Sequence, residues 1–131
     1  MPAPGENLRI NPERLWDTLM EMAKIGATPK GGVCRLALTD LDKQGRDLFV
    51  RWAKEAGCTI SVDRMGNVFA RRAGKDESLA PVVTGSHADS QPTGGKFDGN
   101  FGVLAHLTWI LWDWICPIVR RELGHRGLAP L

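Results

Sequence analysis

The sequence predicts an α/β fold, and three observations carry that expectation. Two stretches with helix-start signals and apolar residues at helical spacing fill the first part of the chain. Two short strand-like runs around a tight-turn signal follow them. A β-branched run, Pro81-Val82-Val83-Thr84, then leads into a glycine-rich segment. The expected architecture is early helices packed on a mixed sheet. At 131 residues the chain makes one domain at most.

Each element has a local reason. Residues 1 to 10 are expected to form a loose arm. Asn11-Pro12 reads as a helix cap and first-turn proline. Leu15, Leu19 and Met22 then recur at helical spacing, with Trp16 and Ala23 beside them, and Gly26 supplies the stop. Residues 27 to 38, with Pro29 and Gly31-Gly32, read as a loop. Thr39 starts a second helix, with Asp42 in a capping-box-like relation to it. Leu41, Leu48, Phe49, Trp52 and Ala56 form its expected apolar face, and Gly57 ends it. The spacing of Trp16 and Trp52 among aliphatics predicts core packing, not an aromatic binding surface. Cys58 to Val62 alternates as a strand, Met65-Gly66-Asn67 turns, and Val68 to Ala70 returns. Gly74 to Ala80 is a charged loop before the next strand.

The chemistry gathers at the end of that strand, in Gly85-Ser86-His87-Ala88-Asp89 and on to Asp98-Gly99. His87 and Asp89 are two apart, so an extended backbone projects both to one side. The intervening glycines let the chain turn sharply and bring Asp98 back toward His87. One imidazole and two carboxylates converging at a strand end look like half of a metal site. A neutral imidazole is a good ligand for zinc-like ions. Asp89 is placed to anchor its second nitrogen, and Asp98 offers two oxygens that could bridge two cations. The plain alternative is a surface His-x-Asp pair in a glycine loop.

The string GSHADSQPTGGKFDGNFGVLA resembles the first metal motif of the dinuclear metal amidohydrolases related to aminoacylases and di-zinc exopeptidases. It is most similar to the group of N-carbamoyl-L-amino-acid hydrolases, β-ureidopropionases and allantoate amidohydrolases. RLWDTLMEMAKIGATPKGGVCRLALTDLD resembles the N-terminal helices of that group, and VDRMGNVFARRAG its hairpin before the metal strand. The resemblance runs from about Leu8 to Ala105. It implies the N-terminal portion of a metallopeptidase-like (phosphorylase/hydrolase-like) catalytic domain, incomplete in this chain. It implies that His87 binds one metal, that Asp98 bridges both, and that Asp89 orients His87. Two divalent ions (zinc, manganese, cobalt or nickel), a small-molecule substrate and a homodimeric enzyme come with it. The implied reaction is hydrolysis of N-carbamoyl amino acids, such as N-carbamoyl-β-alanine, to the amino acid, ammonia and carbon dioxide. The stretch holding Arg35 lies near the active site in the family, so Arg35 either borders it or is a solvated loop arginine. Gln91 and Lys96 lie in the metal loop, where either could touch substrate, and both are expected to solvate the loop. Ala88 stands where the family usually has a larger aliphatic residue.

Two departures matter. The family's paired glutamates, one a base and one a ligand, have no counterpart, since no Glu-Glu pair occurs in the sequence. After Asn100-Phe101-Gly102-Val103-Leu104-Ala105 the chain leaves the family pattern, with Trp109, Trp112 and Trp114 clustered and only Glu122, His106 and His125 as further donors of those types. Residues 106 to 131 are therefore expected to be a divergent tail of a frameshifted or truncated coding sequence, on residues 11 to 105 of catalytic domain. The apolar run there is too short for a confident membrane span. The chain by itself is expected to be inactive. The alternatives are a non-catalytic remnant, or an aminoacylase or exopeptidase of the same metal superfamily.

Composition narrows the partners. Hydrophobic content is 43% and charged content 24%, ordinary for a globular chain. A net charge of +2, with basic residues scattered, gives no argument for nucleic acid or an anionic membrane. The N-terminus lacks a basic segment followed by an apolar core, so no signal peptide is expected. Three widely spaced cysteines, Cys34, Cys58 and Cys116, favour reduced thiols in a cytoplasmic protein.

Overall fold

A computed structural model describes residues 11–74, 76–110 and 128–130, with Trp109, Ile110 and the last three described by their backbone alone. The expected arm at residues 1 to 10 lies outside these residues. So do residues 111–127 of the expected tail, which include Trp112, Trp114, Cys116, Glu122 and His125. The elements run α1 (Pro12–Lys24), α2 (Asp40–Glu55), β1 (Thr59–Val62), β2 (Val68–Arg71), β3 (Val82–Thr84), α3 (Asn100–Ile110) and β4 (Leu128–Pro130). Helix and strand are mixed as an α/β portion requires.

The helices start where local chemistry predicts. The Asn11 side chain accepts from the Arg14 amide at 3.0 Å, and Pro12 opens α1. Thr39 Oγ1 accepts from the Asp42 amide at 3.2 Å. The reciprocal bond falls one residue early, because Asp42 Oδ2 accepts from Leu38 N–H at 3.1 Å and not from Thr39. Gly26 and Gly57 follow the two helices in left-handed backbone, φ +82° and +79°.

Leu15, Leu19 and Met22 of α1, Leu48, Phe49 and Ala53 of α2, Cys58, Ala70, and Leu104 and Leu107 of α3 form one core. Two expectations about this core need correction. Trp16 is 56% exposed. The stripe Leu15–Leu19–Met22 turns inward and leaves Trp16 at its edge, where the indole meets the Phe97 ring at 5.8 Å and 40°. Trp52 does pack against the core, half-buried. Leu41 is 38% exposed, because the first inward turn of α2 is taken by Asp42 and its capping bond.

β1 and β2 pair antiparallel, with Ile60 opposite Ala70 and Val62 opposite Val68. Asp63 builds the turn: its Oδ1 accepts from the Met65 and Asn67 amides, both at 2.9 Å, and its Oδ2 from Asn67 Nδ2 at 2.8 Å. The Asn67 bonds hold the Asp63 carboxyl below its ordinary range. β3 pairs parallel with β4. The strands of the expected mixed sheet thus form two two-stranded sheets among the described residues, with no ladder joining β2 to β3. α3 crosses from residue 105 to 110 without a break, and Leu107 and Thr108 are 2% exposed. No helix among the described residues is long and apolar enough to cross a membrane.

Leu104 has no exposed surface and joins α3 to the core of α1 and α2. Leu104→Ala should destabilise the chain by about 2–5 kcal/mol, the usual cost of a lost buried leucine and its cavity. A urea titration followed by far-ultraviolet circular dichroism checks this, and an unchanged midpoint would remove α3 from the core.

Candidate metal centre

The site is built by two loops laced together. Val33 N–H donates to Gly94 O at 2.9 Å and Gly94 N–H returns to Val33 O at 3.1 Å. Arg35 N–H donates to Ser90 Oγ at 2.8 Å, and Ser90 N–H donates to Arg35 O at 2.7 Å. Ser90 is 5% exposed and its hydroxyl also reaches Val33 O at 3.2 Å. Residues 27 to 38 are therefore no free loop. They form the wall on which the segment after β3 is hung. Close approach demands small residues here: a Cβ on Gly32 would meet Gly94 O at 2.6 Å.

Arg35 is the part that sequence reasoning left open: it is not solvated, and it borders the candidate site from within. It has no exposed surface. Its Nε donates to Ala88 O at 2.8 Å, and its Nη1 donates to Met22 O at 3.1 Å and Ile25 O at 2.8 Å. The guanidinium thus caps the carbonyl end of α1 and grips the peptide between His87 and Asp89. Burial pulls it below its ordinary value, and the carboxylates of Asp42 and Asp89 pull the other way. An arginine three residues beyond a Gly-Gly pair gave no local sign of this, since its partners lie 10 to 55 positions away.

The expected site residues converge as follows. His87 Nδ1 lies 3.1 Å from Asp89 Oδ1 and 3.1 Å from Asp89 O. Both are acceptors, so in the neutral ring this geometry favours the proton on Nδ1 and the lone pair on Nε2. Nε2 faces Asp98 Oδ1 at 3.9 Å, too far for a hydrogen bond. The side chains of His87, Asp89 and Asp98 are 53%, 40% and 41% exposed. Asp98 comes back to the histidine because Gly99 turns the chain at φ +59°. A Cβ there would sit 2.3 Å from His87 O and 2.6 Å from His87 Nδ1, so no other residue fits. Among the described residues, no group of three or more His, Cys, Asp or Glu is arranged to hold a metal ion. His87 and Asp98 are two donors facing each other, with Asp89 behind the first.

The surroundings complete the picture. A cleft of about 450 Å³ lies beside His87 and Asp89, walled by Asp42, Arg46 and Phe49 of α2 and by the hairpin turn. Arg46 donates to Gly66 O and ties the turn to α2. Leu38, 94% exposed at φ +65°, stands on the cleft's rim. His106 is spoken for: its ring meets Thr84 Oγ1 at 2.8 Å and joins α3 to β3. Gln91 is exposed, as expected for a solvating residue, and Lys96 is half-buried.

Comparison with known proteins agrees with this architecture. No family model matches the chain. It is 58% identical over 107 residues to the N-carbamoyl-L-amino-acid amidohydrolase of Rhizobium meliloti, covering 82% of this chain and 26% of that protein. It is 32% identical over 99 residues to the allantoate amidohydrolase of Escherichia coli, covering 76% of this chain and 24% of that one. The crystal structure of an amidase of the hydantoinase/carbamoylase family from Burkholderia multivorans superposes with a TM-score of 0.78 at 63% identity, over 93% of this chain and 28% of the amidase. The chain spans about a quarter of the length of these relatives. Over that span, it belongs to the hydantoinase/carbamoylase family of amidohydrolases.

Proposed function

We propose that this chain carries the first half of a dinuclear metal site for hydrolysing N-carbamoyl amino acids, such as N-carbamoyl-β-alanine, to amino acid, ammonia and carbon dioxide. The observation that carries it is the polarity of His87. One ring nitrogen is held by Asp89 and the other is turned toward Asp98. The names of the relatives supply the reaction class.

The donor set fits a divalent ion. Imidazole nitrogen and carboxylate oxygen bind zinc at about 2.1 Å each, so one ion can span the 3.9 Å between Nε2 and Oδ1. When bound, a pair of such ions polarises a carbonyl oxygen and acidifies water. The protein's part is positional. Asp89 keeps the proton on Nδ1, His87 presents Nε2, and Asp98 presents a carboxylate free to reach more than one cation. Zinc, manganese, cobalt and nickel all suit such donors. The reading extends to a small-molecule substrate, a homodimer and a cytoplasmic setting, which the free thiols of Cys34 and Cys58 favour. It also takes residues 11 to 105 as catalytic-domain sequence and 106 to 131 as divergent.

Metal binding tests the site directly. Calorimetric titration with zinc should show weak binding that His87→Ala abolishes and His106→Ala leaves unchanged, because His106 is committed to Thr84. Equal behaviour of the two variants would sink the assignment.

Turnover tests the half-site. A catalytic zinc normally takes three protein ligands, and a general base must stand beside it. His87, Asp89 and Asp98 do not make up that set, and no Glu-Glu pair is present to add to it. The 131-residue chain should therefore release no ammonia from N-carbamoyl-β-alanine above buffer. Metal-dependent ammonia release lost in Asp98→Asn would contradict the half-site reading.

A further inference from the structure

We propose that Arg35 is the positioning residue of this site: seated in a notch at Gly45, its guanidinium fixes the peptide between His87 and Asp89 and so sets the tautomer of His87. The inference rests on the metal-site reading above and deepens it.

The notch is specific. Gly45 lies in the middle of α2 and is buried, where glycine costs a helix about 1 kcal/mol relative to alanine. A Cβ at that position would meet Arg35 Cδ at 2.9 Å and Nε at 3.0 Å, with Met22 Sδ at 3.5 Å. The guanidinium stem therefore crosses α2 where only a hydrogen leaves room. Nε is then aimed at Ala88 O at 2.8 Å, while Nη1 is pinned by Met22 O and Ile25 O. Two residues further on, Ser90 is bonded to the Arg35 backbone in both directions. The peptide that carries Asp89 is thus clamped on both sides. Asp89 presents its carbonyl and its carboxylate together to His87 Nδ1, each at 3.1 Å. An arginine whose role was only to fill space or to cap α1 would not need the bond to Ala88. An arginine acting only by charge would oppose a cation at Nε2. Positioning predicts the opposite sign: loss of Arg35 weakens cation binding although it removes a positive charge.

The test reads the imidazole itself. The chain has three histidines, so long-range ¹⁵N–¹H correlation spectra of the labelled protein are simple, and His87→Gln assigns the His87 signals. In alkaline buffer, where the ring is neutral, His87 should hold its proton on Nδ1. Gly45→Ala leaves Arg35 chemically intact and improves helix propensity, so it should stay folded while displacing the guanidinium. It should move His87 toward the Nε2–H form and weaken zinc binding about tenfold, the usual scale for losing the group behind a metal ligand. Arg35→Met and Arg35→Lys should do the same, the lysine showing that charge without the fork does not suffice. Folded variants that keep the Nδ1–H tautomer and the zinc affinity of the unchanged chain would overturn the proposal, as would tighter zinc binding in Arg35→Met. A proton on Nε2 of the unchanged chain would overturn both this proposal and the metal-site reading. Nδ1–H with no zinc binding would remove the metal reading alone, and the variants' tautomers would still decide the role of Arg35.

Discussion

Arg35 has no contact with solvent, and a charge removed from water costs several kcal/mol unless its donors are engaged. Nε and Nη1 are engaged by carbonyls of three different residues, and Asp42 and Asp89 supply countercharge nearby. Nη2 has no partner among the described residues. This arrangement ties together parts of the chain that share no sheet. The C-terminal turn of α1 is capped by it, the middle of α2 is shaped around it, and the segment after β3 hangs from it. Removing the guanidinium would leave α1 carbonyls unpaired, a void over Gly45 and a loose Ala88 peptide at once. Backbone ladders hold most small folds together. Here the described strands pair only two by two, and a side chain adds its cross-links to the backbone bonds between the two loops.

The proposed site depends on where that cross-link is placed. The donors His87, Asp89 and Asp98 all sit on irregular backbone, which is the least rigid place to put a ligand. Irregular backbone gains precision only if something else fixes it. Arg35, Ser90 and the Val33–Gly94 pair do so from one side, and the Gly99 turn does so from the other. The exposure of the three donors, 40% to 53%, is compatible with a site open to further ligands and substrate. The lacing of the two loops gives the geometry on which the proposed chemistry rests.

Much of this was legible in the sequence, and the pattern of what was not is instructive. Asn11-Pro12, Thr39 with Asp42 and the Met65-Gly66-Asn67 turn are local signals. Their physics acts within four residues, and the structure has those elements where the signals stand. The convergence of His87, Asp89 and Asp98 was legible for the same reason, through strand alternation and a glycine turn. Trp16 was misjudged because helical spacing says which residues share a face but not how wide the buried stripe is. Leu41 lost its expected burial to a capping carboxylate, a competition that periodicity does not register. Arg35, Ser90 and Gly45 could not have been read, because each acquires its meaning from residues at least ten positions away. How the strands of the mixed sheet pair could not be read locally, because pairing is a long-range property.

Native-state hydrogen exchange tests the central claim most directly, namely that the two loops are one mechanical unit. The amides of Val33, Arg35, Ser90 and Gly94 make the four backbone donations between the loops. If the loops stand or fall together, these four protons should exchange with one common opening free energy, well above that of the exposed hairpin turn. Protection at Val33 and Arg35 alongside near-unprotected rates at Ser90 and Gly94 would show that the histidine-bearing loop moves on its own, and would contradict the account.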